Sequence, residues 1–216
     1  MQIVRRCNSL DATAALGAQL AGLLRPGDVI ALEGELGSGK TTLVRTVVAG
    51  LGLDAKLVSS PTFVVANDYP GTADAPAVVH VDAYRLGGAD ELDTIGWDRV
   101  LDGAAIVFVE WPSKIEGALP TDRASVRIDQ LGEEARRFEI DIPSAWLDRP
   151  GLLQLAQQPE TRETTECPVT GVSVSGDNPT WPFADERARM ADLYRWMHES
   201  YTITREIKDA DLEEGE

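Results

Sequence analysis

Apolar residues along the first two thirds of the chain alternate between the spacing of helices and that of buried strands. Leu16, Leu20, Leu23 and Leu24 recur at helical intervals, and Ser9 precedes them. Ser9 is a good N-cap because its hydroxyl accepts a hydrogen bond from an unpaired backbone N–H of the first turn. Two further stretches predict helices, at residues 41–51 and 91–101.

Short apolar runs between these helices predict strands. The runs are residues 28–33, 63–66, 77–81 and 104–109. Residues 124–130 and 136–142 alternate polar and apolar positions around Leu131-Gly132, which is typical of a hairpin. Because strands that alternate with helices pair mostly in parallel, the pattern predicts an α/β fold. We expect a mostly parallel sheet flanked by helices, with an antiparallel hairpin at its C-terminal end.

The charge distribution divides the 216-residue chain. It has 20 Lys and Arg against 36 Asp and Glu, a formal net charge of −16, and residues 146–216 carry half of that excess. We therefore expect a compact domain over residues 1–144, a polar linker over residues 145–180 and an acidic extension over residues 181–216.

The extension carries an amphipathic helical pattern. Met190, Leu193, Tyr194, Met197 and Tyr201 share one helical face. That face either docks on the domain of its own chain or binds a partner, and the sequence leaves both interpretations open.

Composition excludes several classes of protein. A chain this acidic lacks the clustered cations that direct binding to DNA or RNA requires. Cys7 and Cys167 lie far apart in unrelated contexts, which excludes a disulfide framework and a cysteine-based zinc site and favours a reducing compartment. No apolar stretch reaches the roughly 18 residues of a membrane helix. We expect a cytoplasmic protein.

Residues 34–41 read GELGSGKT and match the phosphate-binding pattern G-x-x-x-x-G-K-[ST] at every defined position. Glycines let the loop turn its backbone N–H groups inward around phosphate oxygens. Lys40 is expected to reach the β- and γ-phosphates, and the Thr41 hydroxyl to be a Mg²⁺ ligand. The predicted strand before the loop and the predicted helix after it complete the arrangement of a P-loop NTPase.

Two predicted strands end in a carboxylate, Asp82 and Glu110. Ligands of α/β sheets bind beyond the carboxyl ends of the strands, so one carboxylate is expected to hold the metal and the other to position water. Residue type alone does not assign the two roles. Thr62, in an SPTF segment, either senses the γ-phosphate or belongs to an ordinary turn. His80 is expected to be a packed histidine.

Four segments together are more specific than a phosphate-binding loop alone. They are residues 34–42, SPTF at 60–63, HVDAYRL at 80–86 and VEW at 109–111. In this order and spacing they resemble the TsaE family, the ATPase subunit of the bacterial machinery that makes N6-threonylcarbamoyladenosine at position 37 of tRNA. The resemblance covers residues 8–143 and does not extend into the acidic extension.

The resemblance implies a Mg²⁺-dependent ATPase that cycles between ATP and ADP. It also implies two partner proteins, TsaD and TsaB, which form a complex that is driven by ATP hydrolysis on this chain. Contact with tRNA would then occur only through that complex. On this sequence it makes Asp82 the catalytic carboxylate, Thr62 the switch hydroxyl, and Thr41 with Glu110 the Mg²⁺ ligands. The implied nucleotide-binding residues are Ser9 (beside the adenine), Gly37, Ser38, Gly39, Lys40, Thr41 and Thr42.

Three other functions remain possible on the sequence. A small-molecule P-loop kinase would need an arginine-bearing lid, and none is evident. A GTPase switch would use the D-x-x-G at residues 68–71, but a guanine-reading motif is missing. A third possibility is an assembly module that binds nucleotide without hydrolysing it.

Overall fold

The computed structural model describes residues 1–61, 64–157, 164–176, 178 and 180–197. Contacts divide the chain between residues 159 and 160 into two compact units. Among the described helices, none has the length and apolar character needed to cross a membrane.

The first unit contains seven strands and four α-helices within the described residues. The strands are β1 Gln2–Cys7, β2 Val29–Glu33, β3 Ala66–Tyr69, β4 Ala77–Asp82, β5 Ala105–Glu110, β6 Ala124–Gln130 and β7 Arg136–Asp141. The helices are α1 Leu10–Ala21, α2 Lys40–Gly50, α3 Trp97–Val100 and α4 Leu152–Ala156. Short 3-10 turns occupy Ala55–Leu57, Ala83–Arg85, Ala89–Ile95, Pro112–Lys114, Glu116–Ala118 and Ser144–Trp146.

The strands form one sheet in the order β1-β7-β6-β2-β5-β4-β3. Its centre is parallel: β5 pairs with both β2 and β4, and β2 pairs with β6. The flanking pairs β6-β7, β1-β7 and β3-β4 are antiparallel. Because β2, β4 and β5 run the same way, their carboxyl ends meet at one edge, where Asp82 pairs in register with Glu110.

Two hydrophobic clusters cover the two faces of this sheet. On one face, α1 and α2 pack against alternate residues of the central strands, including Leu32, Val78 and Phe108. On the other face, Val81, Val107 and their neighbours pack against the segment that contains α3. The central strands are buried on both faces, as parallel strands between two layers must be.

The predicted α/β fold with a terminal hairpin is confirmed, as is the Ser9 cap, whose hydroxyl accepts from the Ala12 N–H at 3.1 Å. The prediction of a strand at 63–66 was wrong in its bounds. Val64 and Val65 form a turn on the Pro61 carbonyl, Val65 has φ 67°, and β3 begins only at Ala66.

Two other elements differ from the prediction. The helix expected over residues 91–101 divides at Gly96, whose φ of 66° ends the 3-10 segment before α3. Strand β1 was not predicted; its alternate residues Ile3, Arg5 and Cys7 face the core while the strand pairs with β7. Because the inward position 5 is a charged arginine, the sequence lacks the alternation of apolar and polar residues that is typical of a strand.

The first unit extends past the predicted boundary at residue 144, which corrects the expected linker. Trp146, Leu152 and Leu155 are buried in the main core. Arg149 pairs with Asp28 at 2.8 Å, and Arg5 donates to the Leu155 carbonyl at 2.7 Å. These contacts tie the segment that ends in α4 to the sheet.

The second unit is small. Its described residues form a two-stranded hairpin, β8 Thr165–Glu166 with β9 Ser173–Val174, followed by α5 Glu186–Met197. Cys167, Val174 and Ala188 form its buried centre. The predicted helix is confirmed as far as Met197, but Met190, Leu193 and Tyr194 on the predicted apolar face are exposed. Tyr201 lies outside the described residues.

The contact between α1 and α2 generates a stability prediction. A Cβ on Gly17 would lie 2.1 Å from Thr46 Oγ1 and 2.8 Å from the Thr46 backbone carbon. We expect Gly17→Ala to lower the free energy of unfolding by about 2 kcal/mol, because overpacking outweighs the gain in helix propensity. Chemical denaturation measures it.

Gly117→Ala is the matched control, since a Cβ there meets no atom within 4 Å. Equal stability of the two variants would contradict the close helix contact.

Candidate nucleotide-binding site

The phosphate-binding loop connects β2 to α2 at the carboxyl edge of the sheet. Gly39 is the N-cap of α2 with φ 110°, so the N–H groups of the first turn open onto the loop. Gly34 has φ 149°, and a Cβ there would lie 2.6 Å from both Ile128 O and Ser38 Oγ. Glycine is therefore required at Gly34 by close approach as well as by backbone conformation.

The Lys40 ammonium is held inside the loop. Its Nζ donates to the carbonyl oxygens of Gly34 at 2.8 Å and Glu35 at 3.0 Å. Its side chain is 5% exposed. Burial lowers the pKa of Lys40, and the nearby Glu110 and Asp82 carboxylates oppose that shift. The ammonium thus lies between two acidic side chains and the carbonyl oxygens of the loop.

The Glu110 carboxylate is the centre of the acidic side. Its Oε1 accepts from Thr41 Oγ1 at 2.9 Å and lies 2.9 Å from His80 Nε2. Its Oε2 lies 4.0 Å from Lys40 Nζ. The family resemblance implied that Thr41 and Glu110 share a metal site, and the structure brings the two side chains into direct contact.

Asp82 lies beside Glu110 at the end of β4 and is 3% exposed. Its Oδ1 accepts from the Tyr84 N–H at 3.0 Å, which fixes the carboxylate at the start of a 3-10 turn. One ammonium, that of Lys40, thus faces two carboxylates, whose oxygens are of the kind that divalent cations prefer as ligands.

Two aromatic rings, those of Trp111 and Tyr84, lie beside Lys40. Trp111 follows Glu110 with φ 59°, and its ring centroid lies 4.3 Å from Lys40 Nζ, within cation–π range. The Tyr84 ring packs against it with centroids 5.1 Å apart. A left-handed conformation at a non-glycine residue costs free energy, and such residues cluster at functional sites.

These groups enclose a cavity of about 390 Å³. Its lining residues come from the loop, from the first turn of α2, from the ends of β4 and β5 with the residues that follow them, and from the segment before β3. They are Leu36, Gly37, Gly39, Lys40, Thr41, Thr42, Ser60, Asp82, Tyr84, Glu110 and Trp111.

Three predicted site residues stand apart from that set. Ser9 caps α1 and does not line the cavity. Ser38 is buried, with no hydrogen-bond partner for Oγ among the described residues, and lines a second groove on the other side of the loop. Thr62 lies outside the described residues. The roles assigned to Ser9 and Thr62 stay predictions.

Sequence reasoning missed Arg136, at the start of β7. Its Nε donates to the Ser38 carbonyl at 2.7 Å, and its Nη1 donates to the carbonyls of Gly132, Glu133 and Ala135. Arg136 therefore fastens the phosphate-binding loop to the β6-β7 hairpin. It is 98 residues from its loop partner, and no local motif marks it.

Comparison with known proteins agrees with this geometry. The family model described as "Threonylcarbamoyl adenosine biosynthesis protein TsaE" matches residues 7–138. The chain belongs to the TsaE family.

Relatives and a solved structure of the family are similar across the first unit. The tRNA threonylcarbamoyladenosine biosynthesis protein TsaE of Streptomyces coelicolor is 50% identical over 122 residues, which cover 56% of this chain and 81% of that protein. Its Bacillus subtilis counterpart is 35% identical over 137 residues, which cover 63% of this chain and 84% of that protein. The crystal structure of B. subtilis YdiB superposes with a TM-score of 0.55 at 28% identity, covering 72% of this chain and 94% of YdiB.

A second family model, "DNA gyrase inhibitor YacG", matches residues 165–214. This TsaE-family chain thus carries, after its TsaE segment, a segment similar to a different family. The sequence analysis did not identify that second similarity.

The hydrogen bond from Arg136 to the Ser38 carbonyl is expected to make the phosphate-binding loop of this TsaE-family protein more rigid. In Arg136→Met, we expect amide hydrogen exchange of residues 34–40 to accelerate about tenfold, because a hydrogen bond from a charged donor is lost. Hydrogen exchange followed by mass spectrometry measures it.

Arg137→Met is the control, since Arg137 pairs on the surface with Asp129 and Glu139. Equal acceleration in both variants would show that Arg136 does not hold the loop.

Proposed function

We propose that this chain binds ATP with Mg²⁺ in the cavity and hydrolyses it in support of tRNA threonylcarbamoyladenosine biosynthesis. The observation that carries the proposal is the convergence of Lys40, Thr41, Asp82 and Glu110 on one cavity at the carboxyl edge of the sheet. Family membership supports the biosynthetic role.

The loop would bind the phosphate chain. Amides at the N-terminus of α2 and of the loop glycines Gly37 and Gly39 would supply donors for phosphate oxygens. Lys40, now donating to the loop carbonyls of Gly34 and Glu35, would exchange part of that bonding for the β- and γ-phosphates.

Thr41 and Glu110 fit a magnesium site. Both offer hard oxygen donors, and their direct contact at 2.9 Å places those oxygens together at the cavity wall. Mg²⁺ usually takes one or two protein ligands and completes its shell with phosphate oxygens and water. When bound, the ion would neutralise charge on the phosphate chain.

Asp82 would act on the attacking water. Its carboxylate lines the cavity beside Glu110 and is held by the Tyr84 amide. A carboxylate in this position accepts a hydrogen bond from water and orients it for in-line attack on the γ-phosphorus. Phosphoryl transfer depends mainly on such placement and on charge neutralisation, so the protein needs no covalent step.

We further propose that TsaD and TsaB are the partners whose complex this hydrolysis drives, and that they stimulate it. The family resemblance supports these partners. The net charge of −16 argues that tRNA is reached through the complex and not by this chain alone.

The position of the D-x-x-G segment argues against the GTPase alternative. Asp68 of the D-x-x-G segment lies on β3, at the far edge of the sheet, and does not line the cavity. A nucleotide-binding module without turnover would use the Asp82 carboxylate only as the acceptor of the Tyr84 N–H.

Two substitutions test the proposal. Lys40→Ala should raise the ATP dissociation constant at least tenfold, because a charge-assisted contact to phosphate is lost. Asp82→Asn should keep ATP affinity within about threefold and reduce phosphate release at least a hundredfold, because the group that orients water is altered. Calorimetry and a phosphate-release assay with TsaD and TsaB present measure the two effects.

The matched controls are exposed residues of the same types, Lys114→Ala and Asp68→Asn. Unchanged ATP binding in Lys40→Ala would refute the nucleotide site. Hydrolysis at the parental rate in Asp82→Asn would refute the role of that carboxylate, and loss of GTP turnover in Asp68→Asn would favour the switch.

A second candidate function concerns the second unit. The match of residues 165–214 to a gyrase inhibitor family supports contact with DNA gyrase. Residues 165–214 hold five Lys and Arg against eleven Asp and Glu, so this segment would act on the enzyme and not on its DNA. Met190, Leu193 and Tyr194 give α5 an exposed apolar face for such a contact.

A supercoiling assay tests this function with the full chain. We expect inhibition of gyrase by the parental chain and at least a fivefold weaker effect from Leu193→Asp, because a charge replaces part of the apolar face. Leu153→Asp, at an exposed position of α4, is the control. This variant should inhibit gyrase as strongly as the parental chain. No inhibition by the parental chain would refute this candidate.

A further inference from the structure

His80 is completely buried in β4, two residues before Asp82. In the sheet register it pairs with Phe108, so it lies on the same face as Asp82 and is diagonal to Glu110. A histidine on this face among valines, leucines and isoleucines is more polar than packing requires.

The hydrogen-bond geometry defines which nitrogen of His80 carries the proton. A carboxylate only accepts, so the 2.9 Å contact between His80 Nε2 and Glu110 Oε1 requires an N–H at Nε2. His80 Nδ1 is buried and has no partner among the described residues. A hydrogen on Nδ1 would be an unsatisfied buried donor, which costs more than a bare lone pair. The geometry therefore places a hydrogen on Nε2.

The contact also orients the carboxylate. Oε1 accepts from two donors, His80 and Thr41, and both lie at 2.9 Å. Oε2 is left toward Lys40, 4.0 Å from its Nζ. With Thr41 as the sole donor, the carboxylate would be free to rotate about its last side-chain bond and exchange its two oxygens.

We propose that His80 is a positioning residue for Glu110: its Nε2–H fixes the carboxylate in the orientation that receives Mg²⁺ together with Thr41. The inference rests on the proposed function for its metal. Outer partners that hold a metal-binding carboxylate typically change metal affinity by 10-fold to 100-fold when removed.

A purely structural histidine makes a different prediction. If His80 only fills space, methionine and glutamine, which have similar length and volume, should replace it equally well. If its donor matters, glutamine should substitute for it through its amide N–H, and methionine should fail.

The experiment compares His80→Gln with His80→Met in the full chain. ATP binding is measured by calorimetry during a Mg²⁺ titration and again in EDTA. We expect His80→Met to raise the Mg²⁺ midpoint about tenfold while its affinity for metal-free ATP changes less than about twofold. His80→Gln should stay within about threefold of the parental midpoint. Equal shifts in the two variants, or equal losses with and without Mg²⁺, would overturn the proposal.

Nitrogen NMR tests the geometry independently of ATP. The chain has two histidines, so His198→Gln leaves His80 as the sole imidazole signal. We expect a protonated Nε2 and an unprotonated Nδ1 in the parental protein, and a changed Nε2 signal in Glu110→Gln. An Nε2 without a proton would overturn the inference even where Mg²⁺ and ATP bind normally.

The two readouts separate this inference from the proposed function. A parental chain that fails to bind ATP refutes the proposed function, and the tautomer still decides whether His80 donates to Glu110. Normal ATP and Mg²⁺ binding with matching midpoints in both variants refutes the positioning role alone.

Discussion

The buried carboxylate of Glu110 is the interaction on which the site depends. A carboxylate that is 4% exposed would be costly without donors, because its charge loses hydration. Thr41 of α2 and His80 of β4 donate hydrogen bonds to Oε1, and the Lys40 ammonium, also on α2, forms an ion pair with Oε2 at 4.0 Å. Each comes from an element whose position the parallel centre of the sheet fixes. The carboxylate therefore links the loop, the helix and two strands.

This linkage has a consequence for the phosphate-binding loop. Lys40 already bonds to two carbonyls of its own loop and lies over the Trp111 ring, so the loop keeps its curvature through protein contacts. Arg136 fixes the loop from outside through the Ser38 carbonyl. A loop held in this way loses little conformational freedom when a phosphate chain binds, and preorganisation of this kind favours affinity. The phosphate has to compete for Lys40, however, so the gain is partly offset.

The difference between what sequence could and could not predict follows the range of the interactions. The GELGSGKT loop, the Ser9 cap and the acids at the ends of β4 and β5 are signalled locally, by glycines, by a cap residue and by apolar runs before a carboxylate. Parallel topology placed Asp82 and Glu110 at the same edge of the sheet as the loop, and the pairing of Thr41 with Glu110 was implied by the family resemblance. Arg136 was missed and His80 was interpreted only as a packed histidine, because their side-chain partners are 98 and 30 residues away. Strand β1 was missed because Arg5 occupies an inward position.

The second unit is subject to a different constraint. Its described core consists of Cys167, Val174 and Ala188, with Trp181 and Phe183 packed around them. A core of this size supplies little hydrophobic free energy, and small domains usually need a staple or a partner for stability. A ligand that binds the folded form adds its binding free energy to the stability of that form. The apolar face of α5, left exposed by this core, is therefore where a partner would contribute most to holding the unit together.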